Sequence, residues 1–308
     1  QRTELPVYLV GGIVRDLILR RPNLDVDLVV EGDGLFFAQE LAKSLCADIR
    51  IYEPFLTATI TPSNRLRIDV ATARREKYLE PAGLPQVKPA TIQDDLQRRD
   101  FTINSLALRI RKTGVGKLLD PLGGCGDIGN GLIRVLHDAS FTDDPTRIFR
   151  AIRYQVRFGF MLDDLTLKLL RKSVSAGMVE RLSGERIRNE LWLLFEEEEA
   201  PKALHLLDSL GVLSHIHPSL KFSSRVTKTL TALRNLFSEH GRNLRADIHL
   251  ASLFSLLEAV PFDSAVEIAR RLSLNRRELE RTLELKLSMP RTAQLSSEGL
   301  TPSKISSL

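Results

Sequence analysis

The chain has 308 residues, 43% hydrophobic and 27% charged, and its 44 Lys and Arg exceed 39 Asp and Glu for a formal net charge of +5. That length allows two domains or one with an extended helical part, and the modest basic balance suits a polyanionic partner without requiring one. Only two cysteines, Cys46 and Cys125, are present, which excludes a disulfide framework or a cysteine-built zinc site and fits a reducing, cytoplasmic compartment. No apolar run reaches the roughly 20 residues that span a bilayer, and no signal-peptide pattern is visible.

The chain opens at Gln1 almost directly on a core strand, as expected of an excised or processed piece of something longer. Residues Val7 to Val30, VYLVGGIVRDLILRRPNLDVDLVV, read as strand, glycine pair, short helix, turn and second strand. Side chains alternate along a strand, so Asp25 and Asp27 share one face, with Cα atoms roughly 6–7 Å apart. Val26, Leu28 and Val30 take the opposite face, against a core. Paired carboxylates repel unless cations neutralise them, and oxygen donors suit Mg²⁺. Gly11 and Gly12 precede a helix start, where free N–H groups favour phosphate. Together these features point to metal-assisted phosphoryl or nucleotidyl transfer. On the helix Ile13–Arg20, Arg15 is either a triphosphate contact or an exposed arginine, and Asp16 complements the helix dipole.

An amphipathic helix is expected over Leu35–Cys46, then strands over Asp48–Tyr52, Leu56–Thr61 and Arg65–Ala71, the last two joined by a Pro62-Ser63-Asn64 turn. Leu66, Ile68 and Val70 form one face of the third strand and Arg67 and Asp69 the other, which makes Asp69 a candidate third carboxylate. Ala73–Ala90, with three prolines and a glycine and no clear period, reads as a long loop. Thr91 and Asp94 form an N-terminal capping pattern for a helix carrying Arg98, Arg99 and Asp100. Two arginines offer forked donors to phosphate, and a carboxylate accepts from a ribose hydroxyl. Leu118–Gly126 reads as strand then glycine-rich turn, and Ile133–Leu136 as a short strand.

From Phe141 the pattern turns helical. In DDPTRIFRAIRY, Pro145 suits the first helical position, which makes Asp144 a natural N-cap. Helices are expected over Asp163–Ser173, over Gly184–Phe195 with Ser183 as its cap, and over Ala200–Leu213. Arg186 and Glu190 stand four apart and are expected to pair. Glu196–Glu199 reads as a solvated helix end. His205, His215 and His217 cluster in sequence without a third ligand type, so ordinary core or surface histidines are expected. Met289–Leu308, rich in Ser, Thr and Pro, reads as a flexible tail.

GGIVRD, DVD, RRDFTINSLAL, DPLGGCGDI, DDPTRIFRAIRY and ERIRNEL, in this order, resemble the motifs of the class II nucleotidyltransferases. That family holds bacterial CCA-adding enzymes, their CC-adding and A-adding relatives and bacterial poly(A) polymerases. The resemblance covers about the first two thirds of the chain. It implies an α+β fold: a small mixed β-sheet nucleotidyltransferase head with flanking helices (1–138), an all-helical nucleotide-selecting neck (139–199) and a helical RNA-binding body (200–308). It implies two Mg²⁺ ions on Asp25 and Asp27, with Asp69 helping. Gly11, Gly12, Arg15, Arg98 and Arg99 would hold the triphosphate and Asp100 the ribose, with support from Asn104. Cytosine and adenine both place an exocyclic amine beside a ring-nitrogen acceptor, so a carboxylate and an arginine admit both. By resemblance these are Asp144 and Arg147, with Asp143 at a position where the family has glutamate, orienting Arg147. Arg150 would approach triphosphate or RNA, and Glu185, Arg186 and Glu190 would brace the selecting helices. The loop after Ala73 would be the family's mobile loop and Leu118–Gly126 its hinge. The expected substrates are ATP, CTP and the tRNA 3′ end. A poly(A) polymerase is the nearest alternative, and a catalytically degenerate RNA-binding module the non-enzymatic one.

Overall fold

A computed structural model describes residues 5–62, 66–111, 114–240 and 245–297. The chain divides into two compact units, Gln1–Arg147 with Phe158–Leu170 and Ile148–Arg157 with Arg171–Leu308.

The first unit is built on a seven-stranded sheet. Its chain runs β1 (Val7–Val10), α1 (Gly12–Ile18), β2 (Asp25–Val30), α2 (Gly34–Leu45), β3 (Asp48–Tyr52), β4 (Thr57–Thr61) and β5 (Arg67–Thr72). Next come β6 (Arg74–Lys77), β7 (Gln86–Pro89), α3 (Ile92–Gln97), β8 (Ala107–Arg111), β9 (Gly114–Leu119), α4 (Gly124–Asn130), β10 (Leu132–Ile133), α5 (Ser140–Asp143) and the start of α6 (Thr146–Phe158). Strand β11 (Met161–Leu162) pairs with β10 in parallel. The sheet order is β3-β4-β5-β2-β1-β8-β9, and β2 with β5 is its parallel pair.

Both faces of the sheet are covered. On one, Leu28 and Val30 of β2 join Ile60, Ile68, Val70 and the α2 residues Ala38 and Ala42 in a buried cluster. Asp33 starts α2 by accepting from the Phe36 N–H at 2.9 Å. On the other face, Tyr8, Val10, Val29 and Ala107 pack beneath Ile92 and Leu96 of α3. Val29 lies on the face of Asp25 and Asp27, so that face is carboxylate at one end and apolar at the other.

Several boundaries differ from expectation. The segment expected as a loop over Ala73–Ala90 contains the antiparallel pair β6–β7. Its strands are too short and too charged to show alternation, and their order comes from pairing. Ser63 and Asn64 of the expected turn lie outside the described residues. The expected helix Ala200–Leu213 is broken at Gly211, whose φ of +77° suits glycine.

The second unit is helical, with no strand among its described residues. It holds most of α6, the end of α7 (Asp164–Ser175), α8 (Gly184–Phe195), α9 (Ala200–Ser209), α10 (Val212–Ile216), α11 (Ser224–His240), α12 (Arg245–Leu257), α13 (Phe262–Arg271) and α14 (Arg276–Ser297). Helix α14 covers the first part of the expected tail, and 298–308 lie outside the described residues. Ser183 caps α8 as expected. Glu197, expected in a solvated turn, is 6% exposed and is clamped by Arg157. Glu190 accepts from Arg153 at 3.2 Å. His215 and His217 each pair with a glutamate, Glu180 and Glu267, at 2.9 Å, and His205 packs on Phe222.

The glycine-rich turn after β9 gives a stability test. A Cβ on Gly124 would lie 2.2 Å from the Thr102 carbonyl oxygen, whereas one on Gly126 meets nothing within 4 Å. Gly124→Ala is expected to cost about 2 kcal/mol or more, because backbone must move. Gly126→Ala, inside α4, is expected to gain about 0.5–1 kcal/mol. Urea unfolding of the two variants measures both.

Candidate functional site

The parallel register of β2 and β5 sets Asp25 opposite Arg67 and Asp27 opposite Asp69. Register partners share a face, about 4.8 Å apart at the backbone. Three carboxylates and one guanidinium therefore form a single patch. Asp69 accepts from Thr59 Oγ1 at 2.6 Å and pairs with Arg67 at 2.9 Å. Asp25 is exposed, and its N–H donates to Asn23 Oδ1 at 2.8 Å. Asp27 is half-buried: burial pushes its carboxyl up to about 6, Arg99 opposes the rise, and Asp69 and Asp25 add to it. A half-buried carboxylate with two others on its face fits a hard cation, which neutralises it without a proton. Among the described residues no three His, Cys, Asp or Glu side chains converge as a metal cage. Asp25 and Asp27 are the carboxylates that share a face within one strand. Mg²⁺ commonly uses one or two carboxylates together with substrate phosphates.

Gly11 has φ +69°, and a Cβ there would lie 2.7 Å from Arg99 Nη1. The positive φ calls for glycine, whereas the end of the Arg99 side chain could shift aside for a Cβ. Gly12 opens α1, with Arg15 Nη2 3.4 Å from where its Cβ would stand. Arg99 Nη2 donates to Asp95 at 2.8 Å, while its Nε is buried without an acceptor. Leaving a buried donor unmade costs about 1–3 kcal/mol. The Arg99 guanidinium lies beside Gly11, and its charge is felt at Asp27.

Arg15 is neither exposed nor turned to solvent: it is 3% exposed. Its Nε donates to Asp16 at 2.8 Å, its Nη1 to Asn104 Oδ1 at 2.5 Å, and its guanidinium sits 4.4 Å from the Phe158 ring centre. Asn104 Nδ2 in turn donates to Asp100 Oδ1 at 3.0 Å. Asp16 also accepts from Asn23 at 2.7 Å, so it does more than complement a dipole. Arg15 and Asn104 thus brace Asp100.

Arg98 and Arg99 follow α3 instead of lying on it, since α3 ends at Gln97. The predicted capping box of Thr91 and Asp94 is present. Arg98 Nε donates to Asp95 at 2.9 Å and its Nη1 to Glu76 at 2.8 Å. Asp95 is fully buried; burial alone would raise its pKa, but Arg99 and Arg98 hold it below the ordinary value.

Asp144 accepts from the Thr146 N–H at 3.0 Å, the capping role its sequence position suggests. Arg147 donates from Nη1 to Ser140 Oγ at 2.7 Å and from Nη2 to the Arg98 carbonyl at 2.9 Å. Asp143, expected to orient Arg147, instead lies 4.0 Å from His137 Nδ1. Its short side chain leaves Ser140 and a main-chain carbonyl to do that work. Arg150 belongs to the second unit, where it donates to the Tyr154 hydroxyl at 2.8 Å.

Sequence reasoning missed Asp95, Glu76 and Ser140. Asp95 had a signal, because it precedes Arg98 and Arg99 by the helical pairing distances of three and four. Glu76 had none, since the pairing of β6 is not visible in composition.

Asp27 generates a pH test. Its folded pKa of about 6 lies above the ordinary 3.8, so the folded chain binds the proton more tightly than the unfolded one. The associated stability is fully present below about pH 3.8 and lost as pH rises through about 6. In EDTA at pH 8, Asp27→Asn is expected to be more stable than wild type by on the order of 1–3 kcal/mol. The gap should close near pH 4, as read by urea unfolding at the two pH values.

Residues 7–134 match the Poly A polymerase head domain, and residues 159–223 match the Probable RNA and SrmB-binding site of polymerase A. An A-adding tRNA nucleotidyltransferase of Geobacter sulfurreducens is 37% identical over 92% of this chain, which spans 33% of that protein. A CC-adding tRNA nucleotidyltransferase of Deinococcus radiodurans is 33% identical over 97% of this chain and 75% of its own length. A solved tRNA nucleotidyltransferase complexed with a primer tRNA and an incoming ATP analog superposes with a TM-score of 0.78 at 32% identity, over 96% of this chain and 85% of that one. Among the described residues no helix is long and apolar enough to cross a membrane. Matched along nearly its whole length by a relative that it covers for three quarters, and bearing its carboxylate pair on the matched head, the chain belongs to the tRNA nucleotidyltransferase family.

Proposed function

We propose that the protein is a template-independent RNA nucleotidyltransferase that adds C and/or A residues to the 3′ end of tRNA from CTP and ATP. The observation that carries this reading is the paired Asp25 and Asp27 on one strand face, with the Arg99 guanidinium and Gly11 beside them. Relatives named for A addition and CC addition, and a related structure holding tRNA and an ATP analog, support the substrate class. On this reading residues 1–138 are the catalytic head, 139–199 the nucleotide-selecting neck and 200–308 the RNA-binding body, working in the cytoplasm.

Asp25 and Asp27 would hold two Mg²⁺ ions, which when bound lower the pKa of the RNA 3′-hydroxyl and neutralise the leaving pyrophosphate. Asp69 adds negative charge to the same face. Arg99 offers the triphosphate its guanidinium charge, and Gly11 leaves room for that guanidinium. Asp100, held by Asn104 and Arg15, accepts from the ribose. Asp144 accepts from the exocyclic amine that C and A share, and Arg147 donates to the adjacent ring nitrogen. Uracil and guanine present the reverse pattern and leave both groups unpaired. Arg150 is assigned to RNA or triphosphate.

The matched family models carry the name of poly(A) polymerase, so that activity is the second reading. Extension assays with Mg²⁺ on tRNAs ending before the tail, after C and after CC separate the two. A fixed addition of one to three C or A residues is expected; long A ladders on any RNA would establish the second reading. Asp25→Asn with Asp27→Asn is expected to cut extension by about 10³-fold or more, because each aspartate is a ligand the chemistry needs. RNA binding, measured by filter retention, should persist.

A further inference from the structure

Glu76 is a buried carboxylate that the mechanism above does not use. Its side chain is 7% exposed, and it stands on β6, in the segment that reads as a loop in the sequence. Its Oε1 accepts from Arg74 Nη2 at 3.0 Å and from Arg98 Nη1 at 2.8 Å, and its Oε2 accepts from the Tyr78 hydroxyl at 3.3 Å. Burial and the Glu76 charge push that hydroxyl up to about 12, so it remains a donor, and the charges of Arg147 and Asp144 also act on it. Tyr78 therefore stands close to the two residues assigned to the base.

Arg98 is the link. Its guanidinium lies between Asp95 and Glu76, and the ionic bonds fix it as a strut. Its own carbonyl is the acceptor on which Arg147 Nη2 rests at 2.9 Å. Arg147 is 4% exposed, with Ser140 as its second support. Holding the Arg98 guanidinium between two acids restrains the main chain it hangs from, and with it the carbonyl on which Arg147 rests. Three arginines, Arg74, Arg98 and Arg99, share the two carboxylates Glu76 and Asp95. One positive charge is left over, and Arg99 carries the unsatisfied donor. Loss of the Glu76 charge would make Arg98 compete with Arg99 for Asp95.

We infer that Glu76 is a positioning residue for nucleotide choice, fixing Arg147 through the side chain and carbonyl of Arg98. This rests on the reading that Arg147 meets the base. The assignment also changes the part given to Arg98, from triphosphate ligand to support.

The test uses the full chain, tRNA primer, Mg²⁺ and each of ATP, CTP, GTP and UTP, with kcat and KM measured separately. Equilibrium binding of a fluorescent ATP or GTP analogue is measured alongside. Glu76→Gln keeps the shape and removes the charge. It is expected to raise KM for ATP and CTP roughly tenfold and to lower the preference for ATP over GTP by a similar factor, as expected for loss of a charged hydrogen bond. A change of kcat for all nucleotides alike, with preference intact, would indicate a merely structural part and overturn the inference. Glu76→Asp, with the charge one methylene short, is expected to fall between wild type and Glu76→Gln in preference. If Glu76→Gln fails to fold, wild-type preference in Glu76→Asp overturns the inference. Arg75→Ala, on the same strand with its side chain 71% exposed, is the control and should match wild type. Arg147→Ala separates the two levels. If it abolishes preference while Glu76→Gln does not, the inference falls and the base-reading assignment stands. If Arg147→Ala leaves preference intact, the assignment itself falls, and the inference with it.

Discussion

The parallel pairing of β2 with β5 is the constraint on which the rest of the head depends. It sets Asp27 beside Asp69 on neighbouring, hydrogen-bonded strands, with Asp25 two residues away. Like charges at that spacing cost stability unless something offsets them. Here Thr59 and Arg67 hold Asp69, and the charge of Arg99 reaches Asp27. Burial is the main cause of the raised pKa of Asp27, and the neighbouring carboxylates add to it. Arg98 and Arg99 follow directly on the covering helix α3.

Around that patch, the arginines are arranged by buried carboxylates. Asp95 and Glu76 lie almost wholly out of water, where an unpaired charge would be expensive and a paired one gains little net stability. Their benefit is geometric. A planar guanidinium forked between two fixed acids has few orientations available, and this defines where Arg98 and Arg99 point. The chain Asp16–Arg15–Asn104–Asp100 does the same for the candidate ribose ligand. The second unit repeats the device with Arg153 and Arg157 on Glu190 and Glu197. Polar residues that look solvated in sequence are, in each case, part of an interior frame.

The sequence by itself determined the strand–glycine–helix–strand opening, the shared face of Asp25 and Asp27, the placing of Asp69 opposite the apolar face of its strand, the cap at Thr91 and the helical second half. Each of these is a local matter: strand alternation, turn chemistry and helix capping act over a few residues, so their signals survive in a linear string. Asp144 as a cap was legible for the same reason. Only the tertiary structure decided that Asp69 stands beside Asp27, because strand order is a non-local choice. It alone drew Arg15 inside, since Phe158 and Asn104 are far away in the chain. It paired β6 with β7 in a segment without period, and through Glu76 tied that ribbon to Arg98. It also separated Asp143 from Arg147, giving the support to Ser140 and a main-chain carbonyl. Burial of charge is set by what folds over a residue, and no pattern of neighbours in the chain records it.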